Sequence, residues 1–265
     1  MSTIAPPFPK RRVITADVSL GSFAEHITAF AEHAAARRSS YVCCVNVHMA
    51  MECRDPAFAA VVNGAAFATA DGMPILRALG LLHGVRQERV AGNDVLPALL
   101  AEAERRGLTV YLYGGTEETQ RLMMMRASRE LPSLRFAGAH VPPFAPLEVL
   151  DMAAEADRIN ATGAHIVMVS LGCPKQERWM AAMQGRVDAI MLGLGGAFLL
   201  YAGVDTRAPK WMRDLSLEWV YRLWLEPGRL WRRYLLTNTA FIALFLRELL
   251  RKTLAGRKAR GGYQG

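Results

Sequence analysis

Cysteine is scarce in this chain of 265 residues: there are four, Cys43, Cys44, Cys53 and Cys173. None forms a C-x-x-C pair, and Cys43 and Cys44 are neighbours in an apparent strand, pointing to opposite faces. That pattern excludes a disulfide framework and a structural zinc site, and it fits reduced thiols in a cytosol. Long apolar runs are also missing. The greasiest stretch, Tyr234–Leu246, is interrupted by Thr237-Asn238-Thr239 and falls short of the roughly 20 apolar residues that span a bilayer. No apolar core follows the polar N-terminus ending in Lys10-Arg11-Arg12, so export is not expected.

Several chemical fingerprints are absent as well. No glycine loop ends in Gly-Lys-Ser/Thr, and Gly193-Leu194-Gly195-Gly196 is not a dinucleotide fingerprint, because Phe198 stands where its last glycine would be. The six histidines are scattered, with no H-E-x-x-H, and no Asp-x-Asp is present to chelate a nucleotide-bound metal. Separated carboxylates could still hold one. Zinc-finger, RNP-like and zipper patterns are lacking, so nucleic acid is not the expected partner despite a pI near 9.6.

What is present is strongly asymmetric. Residues 206–265 carry 13 Lys and Arg against 4 Asp and Glu, a balance of +9, while the whole chain is +8; residues 1–205 are therefore at 19 − 20 = −1. The basic end is also rich in large rings: Trp211, Trp219, Tyr221, Trp224, Trp231, Tyr234, Phe241 and Phe245. Arginine interleaved with amphipathic rings suits an anionic membrane surface, and Arg also grips phosphate in bidentate fashion.

Hydrophobic content of 52% with 21% charged residues describes a packed globular protein. From residue 13 to about 205, apolar strand-like runs alternate with helical stretches. They are strands at 13–18, 41–46, 66–70, 109–113, 134–139, 165–170 and 189–192, and helices at 22–37, 56–63, 73–82, 93–106, 117–131, 147–160 and 176–183. Such alternation predicts an α/β fold, a Rossmann-like, mostly parallel sheet with helices on both faces. Beyond the composition change at Thr206-Arg207-Ala208-Pro209, short Trp- and Arg-rich helices, a break at Pro227-Gly228 and a longer helix to about Leu254 form an appendage. Trp231, Tyr234, Leu235, Ile242, Phe245 and Leu249 fall on one side of that last helix. That face fits either packing on the domain or an interfacial position on lipid. The expected organisation is a flexible segment 1–12, an α/β catalytic domain 13–205 and a basic, membrane-associating appendage 206–265.

Ligands in such folds sit beyond the carboxyl ends of the strands, and three polar clusters fall there. Asp71, between Ala70 and Gly72, is either a partly desolvated general base or an ordinary turn or helix cap. Arg89, in Glu88-Arg89-Val90-Ala91-Gly92-Asn93-Asp94, either faces a diphosphate or pairs with a neighbouring carboxylate. Lys175 and Gln176, after Gly172-Cys173-Pro174, occupy a first helical turn where backbone donors collect anions. The pairs Gly114-Gly115 and Gly195-Gly196 allow a ligand to approach the backbone.

Read together, these strings resemble one family. They are Asn46-Val47-His48-Met49, Ala70-Asp71-Gly72-Met73-Pro74-Ile75, Glu88 to Asp94, Pro174-Lys175-Gln176-Glu177, Gly193 to Phe198, Arg207-Ala208-Pro209, Leu217 to Leu223, Glu226-Pro227 and Arg229 to Tyr234. In order and spacing they are similar to the WecG/TagA/CpsF family of bacterial glycosyltransferases, over about residues 13–236. The resemblance implies inverting, metal-independent transfer of a sugar from a UDP-sugar to a polyprenyl-diphosphate-linked saccharide for surface or exopolysaccharide synthesis. It further implies a protein peripheral on the inner face of the plasma membrane. By position, Asp71 matches the general base, and Arg89 and Gln176 match pocket residues. Asn46 matches an asparagine of a Thr-x-Asn element whose threonine is Cys44 here. Arg222, Arg229 and Arg232 match appendage arginines that close over the diphosphate. Leu199 replaces a frequent aspartate. Two other classes remain to be weighed: a Rossmann oxidoreductase, against which the incomplete glycine fingerprint speaks, and a membrane scaffold that binds nucleotide without turnover.

Overall fold

A computed structural model describes residues 8–206, 208, 209, 211, 212, 218–225 and 227–261; in the last two stretches the side chains described are those at 220, 221, 223, 224, 231 and 237–254. Two short strands open the chain, β1 (Lys10–Val13) and β2 (Ala16–Ser19), paired as an antiparallel hairpin. A six-stranded sheet follows, made of β3 (Ser40–Val45), β4 (Phe67–Ala70), β5 (Thr109–Gly114), β6 (Arg135–His140), β7 (Ile166–Ser170) and β8 (Ile190–Gly193). Its order is β4-β3-β8-β7-β5-β6, and every pair is parallel.

The strands are nearly continuous apolar runs because both faces are covered. Side chains alternate between two separate cores. Tyr41, Cys43, Val45, Ala68, Ala70, Val167 and Val169 face one core. Val42, Cys44, Phe67, Ile166, Met168, Ile190 and Leu192 face the other. Cys43 and Cys44 thus do point to opposite sides, both buried as free thiols.

On the second core lie α1 (Phe23–Ala35), α5 (Gly92–Arg106), α6 (Glu117–Glu130) and α9 (Ala197–Ala202). On the first lie α2 (Val47–Glu52), α3 (Pro56–Gly64), α4 (Met73–His83), α7 (Met152–Asn160) and α8 (Lys175–Met183). Helix α1 starts where the capping box Ser22/Glu25 satisfies its first amides. Helices α10 (Glu218–Leu225) and α11 (Pro227–Gly261) make up the C-terminal part. Phe241 of α11 is 5% exposed and belongs to the first core, with Leu244, Phe245 and Leu249 packed against it. No helix among the described residues is long and apolar enough to cross a membrane.

Four sequence expectations change. Lys10–Arg12, read as the end of a flexible segment, form β1: the Lys10 Nζ donates to Asn63 O at 3.1 Å and Ala65 O at 2.7 Å, and Arg12 pairs with Asp17 across the hairpin at 2.8 Å. The first extended stretch, 13–18, is accordingly a turn at Ile14-Thr15 between two strands. The helix expected over 147–160 is a 3₁₀ turn at Leu147–Val149 and then α7, because Asp151 caps the amides of Ala153 and Ala154. The single apolar side of α11 is two stripes. Phe241, Phe245 and Leu249 meet the body, while Trp231, Ile242, Leu246, Leu250 and Leu254 are exposed.

Candidate active site

A cleft of about 740 Å³ opens over the carboxyl ends of β3, β4, β7 and β8, which are adjacent in the sheet. The connection from β3 leaves toward β4 on one side, while β5 and β6 lie on the other, so the crevice sits where the direction of winding changes.

From β4 comes Asp71. Its backbone amide donates to Val45 O at 3.0 Å, which ties the strand end to β3. The cap of α4 is Gly72, without a side-chain cap bond. Asp71 stands just before that cap and lines the cleft. Arg89 is brought beside it by two bonds that fasten the following segment to β4: Val90 N to Ala70 O at 2.9 Å and Thr69 Oγ1 to Val90 O at 2.8 Å. Arg89 makes a 2.7 Å pair with Asp94, as the pairing reading has it, and also lines the cleft. The first turn of α5, Gly92 and Asn93, forms the adjacent edge.

From β3 come Cys44 and Asn46. Burial, reinforced by the nearby Asp71 charge, pushes the Cys44 thiol above its ordinary range, so it is a poor nucleophile. As a thiol in the position of a hydroxyl it offers only a weak hydrogen bond. Asn46 caps α2, its Oδ1 accepting from Met49 N at 3.1 Å, and it lines the cleft. From the segment after β8, Gly195 and Gly196 form part of the floor.

Gln176, in the first turn of α8, also lines the cleft and is 5% exposed. Its Nε2 donates to Glu177 Oε1 at 2.7 Å, and its Oε1 has no partner among the described residues. Glu177 is fully buried, and burial pushes its carboxyl up to about 7 against the pull of Gln176 and Cys173.

Three expected site residues lie elsewhere. Lys175 reaches away from the cleft, its Nζ donating to Ala145 O at 2.6 Å and lying 5.6 Å from the Phe144 ring centre. Gly114 and Gly115 are not in the lining. They let β5 cross close to β7: a Cβ on Gly114, whose φ is +87°, would stand 2.4 Å from Ser170 O. Arg222 lies in α10, and Arg229 and Arg232 in α11, but their side chains fall outside the described residues.

One wall is supplied by α11, through Thr237, Asn238, Phe241, Ile242 and Phe245. In the sequence the polar triplet Thr237-Asn238-Thr239 marks only a break in an apolar run. A polar step on the buried side of a helix was the signal that could have found it. No group of three His, Cys, Asp or Glu able to hold a metal occurs among the described residues.

A cleft lined by a carboxylate at a strand end and by a guanidinium suits displacement of an anionic leaving group. Comparison with known proteins points the same way. Residues 11–255 match the model of the glycosyl transferase WecG/TagA/CpsF family. An N-acetylglucosaminyldiphosphoundecaprenol N-acetyl-beta-D-mannosaminyltransferase of Bacillus spizizenii is 30% identical over 222 residues, 83% of each chain. A protein of the same description from Bacillus subtilis is 31% identical over 194 residues, 73% of each chain. With a match that runs from the first strand into the last helix, this chain belongs to the WecG/TagA/CpsF family of glycosyltransferases.

Proposed function

We propose that this protein is an inverting glycosyltransferase. It moves a sugar from a UDP-sugar to a polyprenyl-diphosphate-linked saccharide in the synthesis of a bacterial surface polysaccharide. The names of its relatives make N-acetylmannosamine the sugar to test first, with N-acetylglucosaminyl-diphospho-polyprenol as acceptor. The observation that carries this reading is the shared cleft, with Asp71 and Arg89 lining it and α11 forming a wall.

In the reaction, the acceptor hydroxyl oxygen attacks the anomeric carbon from the face opposite UDP. The carbon–oxygen bond to UDP breaks, its electron pair leaves on the diphosphate, and Asp71 takes the hydroxyl proton. Charge that develops on the diphosphate is met by Arg89 and by Arg222, Arg229 and Arg232 of the C-terminal helices, which do this work in place of a metal.

The appendage, residues 206–265, brings the enzyme to its lipid acceptor on the inner face of the plasma membrane. Support comes from the exposed stripe Ile242, Leu246, Leu250 and Leu254, spaced four residues apart, with Arg247, Arg251 and Lys252 exposed beside it. Apolar side chains flanked by cations are suited to the boundary of an anionic leaflet. Purified protein incubated with a panel of UDP-sugars and short-chain lipid acceptors, read by mass spectrometry, tests the reading. Transfer of one hexosamine to the lipid with release of UDP is expected. Absence of transfer from every donor would contradict it.

A further inference from the structure

Adjacent helical residues point about 100° apart and do not normally bond side chain to side chain. Gln176 and Glu177 do, through Nε2 and Oε1 at 2.7 Å, and both are buried. Around the Gln176 amide the space is tightly bounded. A Cβ at Gly193 would stand 3.1 Å from its Nε2, and one at Gly195 would stand 3.4 Å from its Oε1. The amide is thus pressed against the backbone that floors the cleft. A planar amide in that place has two orientations, and the partner of its nitrogen decides between them. Glu177 Oε1 accepts from Nε2, as a carboxylate oxygen or as the carbonyl oxygen of the protonated acid, and so goes with the orientation in which Nε2 turns to it. Oε1 is then left at the cleft, buried and without a partner among the described residues.

We propose that Glu177 is a positioning residue. By accepting from Gln176 Nε2 it fixes Gln176 Oε1 as an acceptor for a hydrogen-bond donor, a hydroxyl or acetamido N–H, on a sugar bound in the cleft. The inference rests on the glycosyl-transfer reading above and adds to it the polarity of one contact. In the sequence Glu177 stands in the string Pro174-Lys175-Gln176-Glu177, which gives it no role of its own. Its surroundings are unfriendly to charge, since Cys43, Cys44, Cys53 and Cys173 all lie near enough to feel it. A buried acid kept in such a place, with one oxygen given to Gln176, needs a reason of this kind.

The test is a double-mutant cycle on the full chain, using UDP-N-acetylmannosamine and a short-chain N-acetylglucosaminyl-diphospho-lipid. The variants are Gln176→Ala, Glu177→Met, both together, and Glu177→Gln, each with its thermal unfolding recorded. Met fills the space without accepting, whereas Gln retains a carbonyl oxygen for Nε2. If Glu177 acts through Gln176, Glu177→Met lowers kcat/KM by about tenfold, the worth of one lost polar contact. Placed on Gln176→Ala it lowers kcat/KM no further. Glu177→Gln is expected to stay within about threefold of the wild type, because its oxygen replaces the lost one. A merely structural role would give the opposite pattern, with Glu177→Met costing as much in the Gln176→Ala background as alone. That pattern, an unchanged rate for Glu177→Met, or a loss in Glu177→Gln equal to that in Glu177→Met would overturn the inference while leaving the enzyme's function standing. A wild-type protein that transfers nothing would overturn the function and this inference with it.

Discussion

The backbone amide of Ile14 donates to Glu248 Oε2 at 3.2 Å, joining the turn of the first hairpin to a helix 234 residues later in the chain. Ile14 has a φ of +60°, an uncommon conformation for a β-branched residue. The contact sits at the end of the seam where Phe241, Phe245 and Leu249 dock on the body. The C-terminal helix is therefore held at a polar latch as well as by its apolar stripe.

Removing the latch should loosen the wall of the cleft. Glu248→Ala is expected to lower stability by about 1 kcal/mol, the net value of one such bond. Chemical denaturation reads the change, and a midpoint identical to that of the wild type would show that the latch is idle.

The outer stripe of the same helix should act on membranes and not on folding. Leu246 and Leu250 are exposed, so replacing both with Glu leaves the core untouched. Binding to vesicles containing anionic lipid should weaken about tenfold or more, because two leucines no longer leave water. Sedimentation with vesicles measures it. Undiminished binding would mean that another surface meets the lipid.

Gly114 offers a contrast with the glycines of the cleft. Alanine there must hold a φ of +87° and push its Cβ into Ser170 O. The backbone cannot yield cheaply, so Gly114→Ala should destabilise by about 3 kcal/mol. The folded fraction should bind UDP as before. Loss of UDP affinity without loss of stability would return Gly114 to the ligand site from which the structure removes it.

The Glu177 carboxyl gives a pH signature. Its value in the fold, about 7, is above the ordinary 4.5, so between those values the folded protein holds a proton that the unfolded chain has released. Stability from this group is complete below pH 4.5 and is lost as pH rises toward 7. Over that window Glu177→Gln should gain on the wild type by about 3 kcal/mol. Denaturation at pH 5 and pH 8 measures it, and a constant difference between the two proteins would contradict a buried, perturbed acid.

Much of the architecture could be read from the chain because fully covered parallel strands are apolar throughout and are spaced by helices. Asp71, Asn46 and Gln176 could be placed at the cleft because each comes just after such a strand, whereas Arg89 lies in the connection between α4 and α5 and reaches the cleft because Val90 is bonded back to β4. Other features depend on long-range partners that a local pattern does not contain. Lys10–Arg12 look like a solvated leader until Asn63, Ala65 and Asp17 are placed beside them. Helices α2 and α9 are six residues each, too short for a periodic signal. Lys175 turns outward because Ala145 O waits on a loop thirty residues earlier. The burial of Glu177 is set by α8 lying on the sheet, and a charged letter in a polar string does not reveal it.

The claim beneath all of this is that Asp71 is the base for sugar transfer in the cleft it shares with α11. Rapid-quench measurement of a single turnover compares Asp71→Asn with the wild type, using saturating UDP-N-acetylmannosamine and a short-chain N-acetylglucosaminyl-diphospho-lipid. The transfer step should slow by about 10²–10⁴-fold, the usual cost of a lost general base, with the affinity for UDP retained. Equal rates for the two proteins would contradict the account.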